Sequence, residues 1–150
     1  MTIDNLGTYF EKIAIQNKKK IAIQFLNGDK VSFGNLNLNA NKISNWMIKS
    51  GVKSNNCICI LSNKNEYVFF LIIACLKIGA PYTILDKDVP FSRNVRIIKT
   101  LKPRFIFSTV DHRSKITKYK NFISQKKIKK ILKNKITKVK KPNFDTKMLA

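Results

Sequence analysis

Acidic residues are scarce in this sequence. The 150-residue chain carries 8 Asp and Glu against 30 Lys and Arg, a formal net charge of +22. Its acids are scattered singly, so no carboxylate pair suited to acid and base catalysis can be nominated. There is one histidine, His112, beside Arg113, and three cysteines, Cys57, Cys59 and Cys75. Zinc requires a fourth ligand and ordinarily a Cys-x-x-Cys spacing, so no metal site is expected. The three thiols read instead as small buried hydrophobes, with Cys57 and Cys59 on one face of a strand. Glycine is equally sparse: Gly7, Gly28, Gly34, Gly51 and Gly79 stand alone, and neither a Walker loop nor a dinucleotide fingerprint can be built from them. No serine sits in a nucleophile elbow, which removes the common hydrolytic triads. The longest apolar run, Tyr67 to Leu76, is 10 residues, against the ~20 needed to cross a bilayer. The first residues lack the basic and apolar pattern of an export signal, so a cytoplasmic protein is expected.

What the chain has in abundance is lysine, isoleucine and asparagine: 26, 21 and 16 residues. All three have AT-rich codons, and this bias accounts for much of the charge. Only 4 of the 30 basic residues are Arg, the side chain best fitted to bidentate phosphate or base recognition, so nucleic acid is not the favoured partner. The charge is uneven: residues 112–150 hold 14 basic side chains and 1 acidic one. Apolar residues still recur through that segment at Ile116, Tyr119, Phe122, Ile123, Ile128, Ile131, Leu132, Ile136 and Val139, which describes amphipathic structure with lysine outside.

The length suits one domain or part of a larger one. Leu6, Phe10 and Ile13 predict a short helix ending near Asn17. Ile21 to Leu26 and Lys30 to Phe33 lie on either side of Asn27-Gly28-Asp29 and predict a hairpin, since Asn and Gly both accept positive φ. Ser32 is placed to cap a helix with Leu36, Ala40, Ile43 and Met47 on one face, ended by Gly51 in the left-handed conformation with Val52 folding back. Cys57 to Leu61 is an unbroken apolar run, the signature of a strand buried on both faces of a parallel sheet. Helix Glu66 to Ile78, strand Tyr82 to Leu85, helix Ser92 to Leu101 and strand Arg104 to Ser108 follow. The alternation predicts an α/β fold, a mostly parallel sheet with flanking helices plus an N-terminal β-hairpin. Beyond Asp111 the expectation is a helix near Ser114 to Ser124 and a strand near Ile128 to Leu132.

Particular segments resemble a known family. Val31-Ser32-Phe33-Gly34-Asn35-Leu36, Ala40-Asn41, Ser50-Gly51-Val52 and Cys57 to Leu61 look like the opening of the AMP-forming adenylating superfamily of AMP-dependent synthetases and ligases. Leu76-Lys77-Ile78-Gly79-Ala80-Pro81-Tyr82-Thr83-Ile84-Leu85-Asp86, followed by Pro90 and Arg93, resembles its Leu-Lys-Ala-Gly-Ala-Ala-Tyr-Val-Pro-Leu-Asp-Pro element, and Lys102 to Thr109 resembles the strand after it. Asp86 directly after Leu85 is similar to the amino-acid-activating branch. Asn35, Thr83-Ile84 and Lys87 depart from the family pattern. The resemblance runs from about residue 5 to the end, and Asp145 to Ala150 is similar to the lead-in of the family's phosphate loop.

The resemblance implies that residues 1–150 form an incomplete N-terminal subdomain of an adenylate-forming enzyme, with the basic segment 112–150 inside it. Gly79, Ala80, Tyr82, Asp86, Pro90 and Arg93 are then structural motif positions, and no catalytic, cofactor-binding or metal-binding residue is expected in this chain. ATP and Mg²⁺ are implied for the complete family enzyme, and the phosphate loop, acyl pocket and catalytic Lys lie, in the family, beyond this segment. The implied function is a scaffold fragment, truncated or half of a split enzyme, inactive alone and partnered by a separately encoded remainder or a carrier protein. Its sheet would keep an unpaired edge and an uncovered apolar face. The alternative is a small basic module binding nucleic acid or an anionic membrane.

Overall fold

The computed structural model describes residues 5–110 and 115–135. Helix α1 (Leu6–Gln16) starts at Asn5, whose Oδ1 accepts from the Gly7 and Thr8 amides, satisfying donors that have no partner within the helix. Strands β1 (Ile21–Gln24) and β2 (Lys30–Ser32) pair antiparallel. Their turn differs from the expected one. Only Gly28 takes positive φ, 90°. The Gly28 amide donates to Phe25 O, and the Phe25 amide to Asp29 O, so the loop is Leu26-Asn27-Gly28, one residue earlier than expected, and ends in a glycine bulge. Asn27 is tied to Asp29 by Nδ2 donating to Oδ2 at 2.7 Å.

Ser32 caps α2 (Phe33–Lys49) through Oγ, which accepts from the Asn35 amide at 3.2 Å. At the other end Gly51 takes φ 78°. The Val52 amide donates to Met47 O and the Gly51 amide to Ile48 O, the paired bonds of a Schellman ending. α3 (Glu66–Ile78) ends the same way, with Gly79 at φ 66°, its amide on Leu76 O and the Ala80 amide on Cys75 O. α4 (Phe91–Leu101) is closed by Lys102 at φ 44°, just before Pro103.

The main sheet has the order β4-β3-β5-β6, all parallel, from β3 (Ile58–Ser62), β4 (Tyr82–Asp86), β5 (Phe105–Ser108) and β6 (Phe122–Ile123). Every residue of β3 is buried. Ile58, Ile60 and Phe107 face a core built with α2, α3 and helix α5 (Gln125–Leu132). Cys59, Leu61, Leu85 and Ile106 face a smaller core closed by Ile98 of α4 and by Ile116. Trp46 of α2 lies 5.2 Å from the Phe105 ring and 5.9 Å from Phe107.

The segment after Asp111 is arranged otherwise than expected. Lys115–Lys118 is one 3-10 turn, Phe122–Ile123 is the strand and Gln125–Leu132 is the helix. Phe122 and Ile123 pack into opposite cores, as adjacent residues of a doubly covered strand must. Ser124 Oγ accepts from the Lys127 amide, and Ile128 and Ile131, three apart, share a helical face that a strand would have split. Lys42 Nζ donates to Leu132 O at 2.7 Å, a cation on the negative end of α5. Ile136, Val139 and the Asp145 to Ala150 motif lie outside the described residues.

α1 docks on α3 at a point of close backbone approach: a Cβ on Gly7 would collide with the Lys77 backbone. The Lys77 side chain, 3% exposed, is held beneath α1 with Nζ 3.5 Å from Glu11 Oε2. Burial pushes the Lys77 ammonium below the ordinary lysine range, and Glu11 partly opposes this. Gly7→Ala is therefore expected to cost about 1–3 kcal/mol by forcing the helices apart, read as a lower urea midpoint at unchanged slope. Because the Lys77 pKa is lower folded than unfolded, the unfolded chain holds more protons just beneath the lysine range, and stability rises with pH there. Lys77→Met is expected to flatten that alkaline rise in urea titrations while keeping neutral-pH stability within about 1.5 kcal/mol.

Candidate functional site

In open α/β sheets ligands bind outside the carboxyl ends of the strands, where the strand order reverses. Here the chain leaves β3, adds β4 on one side and returns to add β5 on the other, so the reversal lies between Ser62 and Ser108. That crevice is closed by the protein's own groups. Thr109, fully buried, donates its amide to Leu61 O at 2.9 Å and its hydroxyl to the same oxygen at 3.2 Å. Its Oγ1 accepts from the Asn63 amide at 3.0 Å. Its carbonyl accepts from Asn65 Nδ2 at 2.8 Å and Gln125 Nε2 at 3.0 Å, which fills both lone pairs. One residue thus joins β3, the loop after it, β5 and α5.

Beside this closed point, between the ends of β3 and β4, lies a cavity of about 110 Å³ lined by Ser62, Asn63, Lys64, Ile84 and the Asp86–Asp88 turn. Ligand sites usually run to roughly 300–1,000 Å³, so it is too small for a nucleotide. Four of its side chains are internally engaged: Ser62 Oγ accepts from the Lys64 amide, Asp86 Oδ1 accepts from the Asp88 amide at 2.8 Å, and Lys87 Nζ pairs with Asp88. Lys64 takes φ 52° without being glycine.

The six motif positions trace one path through α3, β4 and α4. Gly79 and Ala80 form the α3 ending, and Ala80 is buried. Tyr82 opens β4 and is exposed on the sheet's outer strand. Asp86 closes β4, and its carbonyl accepts from Asn94 Nδ2 at 2.8 Å. Pro90 precedes α4, its carbonyl accepting from the Arg93 amide, and the Arg93 side chain is exposed on that helix. Asp86, Pro90 and Arg93 therefore gather at the carboxyl end, while Gly79, Ala80 and Tyr82 lie at the amino end about 13 Å away along the strand. β4 pairs with β3 on one side only among the described residues, and Ile84 beside Tyr82 is 47% exposed.

Three features went unread in the sequence: the Thr109 junction, the buried Asn94 and the Lys77–Glu11 pair. A hydroxyl pair closing an apolar strand, Ser108-Thr109, is the signal for the first; an amide at a core-facing helical position is the signal for the second. Burial pushes the Cys59 pKa up to about 12 and raises those of Cys57 and Cys75, against the lowering a nucleophilic thiol needs. Among the described residues no group of three His, Cys, Asp or Glu is placed to hold a metal ion, and no helix is long and apolar enough to cross a membrane.

The described residues do not fit ATP and its magnesium. The crevice at the strand ends is filled by Thr109, the neighbouring carboxylates are engaged by Asp88 N and Lys87, and α3 opens with Glu66 in its first turn, which opposes phosphate at that terminus.

Comparison with known proteins is consistent in one direction. Residues 10–148 match the model of a family described as AMP-binding enzyme. Nonribosomal peptide synthetase Ao415 of Arthrobotrys oligospora is 29% identical over 107 residues, 68% of this chain and 3% of that synthetase. The N-terminal subdomain of Klebsiella oxytoca NpsA, solved with 3-hydroxyanthranilyl-AMSN, superposes with a TM-score of 0.76 at 13% identity, covering 93% of this chain and 35% of that one. An artificially fused adenylation–PCP di-domain from the same organism gives 0.77 at 13% identity, over 92% of this chain and 26% of that one. The structural likenesses, at such identities, speak for the fold.

Thr109→Val keeps the shape of the junction and removes the acceptor of the Asn63 amide. It is expected to cost about 1–3 kcal/mol in urea unfolding and to speed hydrogen exchange at Asn63 more than at Leu61.

Proposed function

Because the chain belongs to the AMP-binding enzyme family, we propose that it is the N-terminal scaffold of a domain that activates a carboxylic acid, an amino acid, as its adenylate. The reading is supported most by the family match over residues 10–148, within which Gly79, Ala80, Tyr82, Asp86, Pro90 and Arg93 set the passage from α3 through β4 to α4. In this reading those residues shape the scaffold, and the groups that grip ATP come from polypeptide outside residues 1–150. Adenylate formation has to stabilise in-line attack of a carboxylate on the α-phosphorus, which requires fixed donors and a metal ion. The closed rim at Thr109 and the engaged Asp86 and Asp88 favour assigning that work elsewhere. The exposed Tyr82 and Ile84 on β4 supply the face on which the remaining polypeptide packs. The neighbour's adenylation–PCP arrangement supports a carrier protein as eventual acceptor of the activated acid.

Pyrophosphate exchange decides it. The purified chain with ATP, Mg²⁺ and a panel of amino acids is expected to give no exchange above blank. Exchange with any amino acid, or saturable magnesium-dependent ATP binding by the chain, would overturn the reading.

A further inference from the structure

One face of α4 is unlike the rest of the basic surface. Arg93, Arg96, Ile97, Thr100 and Leu101, at spacings of three and four, line a shallow groove of about 520 Å³ along the helix. Leu101 is 40% exposed, and Thr100 Oγ1 turns back to Arg96 O at 3.0 Å, which leaves the floor aliphatic. The helix has no acidic residue, and the ion pairs among the described residues, Lys77–Glu11 and Lys87–Asp88, involve neither arginine. Two of the four arginines of a lysine-dominated chain stand here one turn apart. The core side of α4 is held by buried Ile98 and by Asn94 on the Asp86 carbonyl, and Ile97, half-buried, packs against the same core with one side and borders the groove with the other.

We infer that this groove is a docking surface for an acidic amphipathic helix of a partner polypeptide. Its carboxylates would meet the guanidinium forks of Arg93 and Arg96, and its aliphatic side chains would cover Ile97 and Leu101. Guanidinium matches carboxylate bidentately, and anchors repeating at three and four residues suit helix-in-groove binding. A single-stranded nucleic acid would want aromatic platforms for its bases, and no aromatic residue lines the groove. An anionic membrane would want a broad apolar face with large side chains, where this face offers two aliphatic ones. The inference stands apart from the adenylation reading and uses none of it.

The test uses the full chain and fluorescence anisotropy with three probes. These are a synthetic helix-forming peptide with glutamates flanking a leucine stripe, a single-stranded oligonucleotide, and phosphatidylserine vesicles. A shuffled peptide of the same composition, which controls for the overall charge, is expected to bind about tenfold more weakly. Arg93→Glu with Arg96→Glu is expected to cost about tenfold, and a peptide with lysines in place of the glutamates to recover binding to that variant. Leu101→Ser is expected to weaken binding about fivefold, whereas Lys126→Glu with Lys127→Glu on α5 changes it less than about twofold. Circular dichroism and urea unfolding identify any variant that fails to fold, and Arg93→Gln with Arg96→Gln then replaces the charge reversal. Equal binding of the shuffled peptide, equal loss on the α5 variant, or preferential binding of the oligonucleotide or vesicles would overturn the proposal.

Discussion

The domain is organised around a strand with no free side. β3 is paired on both edges, with β4 through Ile58 and Tyr82 and with β5 through Ile58 and Phe105. It is also covered on both faces, so its amides and carbonyls depend on neighbouring strands and its side chains on helices. This constraint dictates the rest. α2 and α3 must present aliphatic faces to Ile58 and Ile60, and α4 must do so for Cys59 and Leu61. The left-handed glycines at 51 and 79 are what let both long helices stop and turn in time to feed the sheet.

The polar chemistry is distributed with equal economy. At the carboxyl rim the hydrogen-bonding capacity is spent internally, most of it through Thr109, so the end of the sheet where such folds take ligands behaves as a structural joint. The charge lies elsewhere, on helix exteriors and loops. There the lysines are mostly solvated cations on flexible stems, and α4 stands apart because two arginines border an aliphatic floor. The chain belongs to the AMP-binding enzyme family and spans about a third of the NpsA subdomain it superposes on.

Most of the fold was legible in the amino-acid pattern. The unbroken run at Cys57 to Leu61, the cap at Ser32 and the glycine endings at 51 and 79 each rest on a local rule that tertiary contacts reinforce. The position of the hairpin turn was not: the Phe25 amide bonds Asp29 O and the Gly28 amide bonds Phe25 O, which draws Leu26 out of the strand and into the loop. Nor was the order of helix and strand after Asp111. There a two-residue strand carries no periodicity, and its pairing is decided by Ile106 and Phe107 far back in the chain. The candidate site was least legible of all. The motif positions could be picked out by resemblance, but Thr109, Asn94 and Lys77 matter through partners distant in sequence, such as Asn63, Asp86 and Glu11.

The doubly paired central strand also bears on how the chain is made. Synthesis proceeds from the N-terminus, so Ile58 to Ser62 emerge before either neighbour exists: β4 is complete only at Asp86 and β5 only at Ser108. At roughly 5 to 20 residues per second on the ribosome, the most water-averse strand waits on the order of seconds for its first partner and longer for its second. During that interval α2, and α3 once Ile78 has been made, are what the nascent chain can lay over Ile58 and Ile60, which gives these helices a protective duty before they have a structural one.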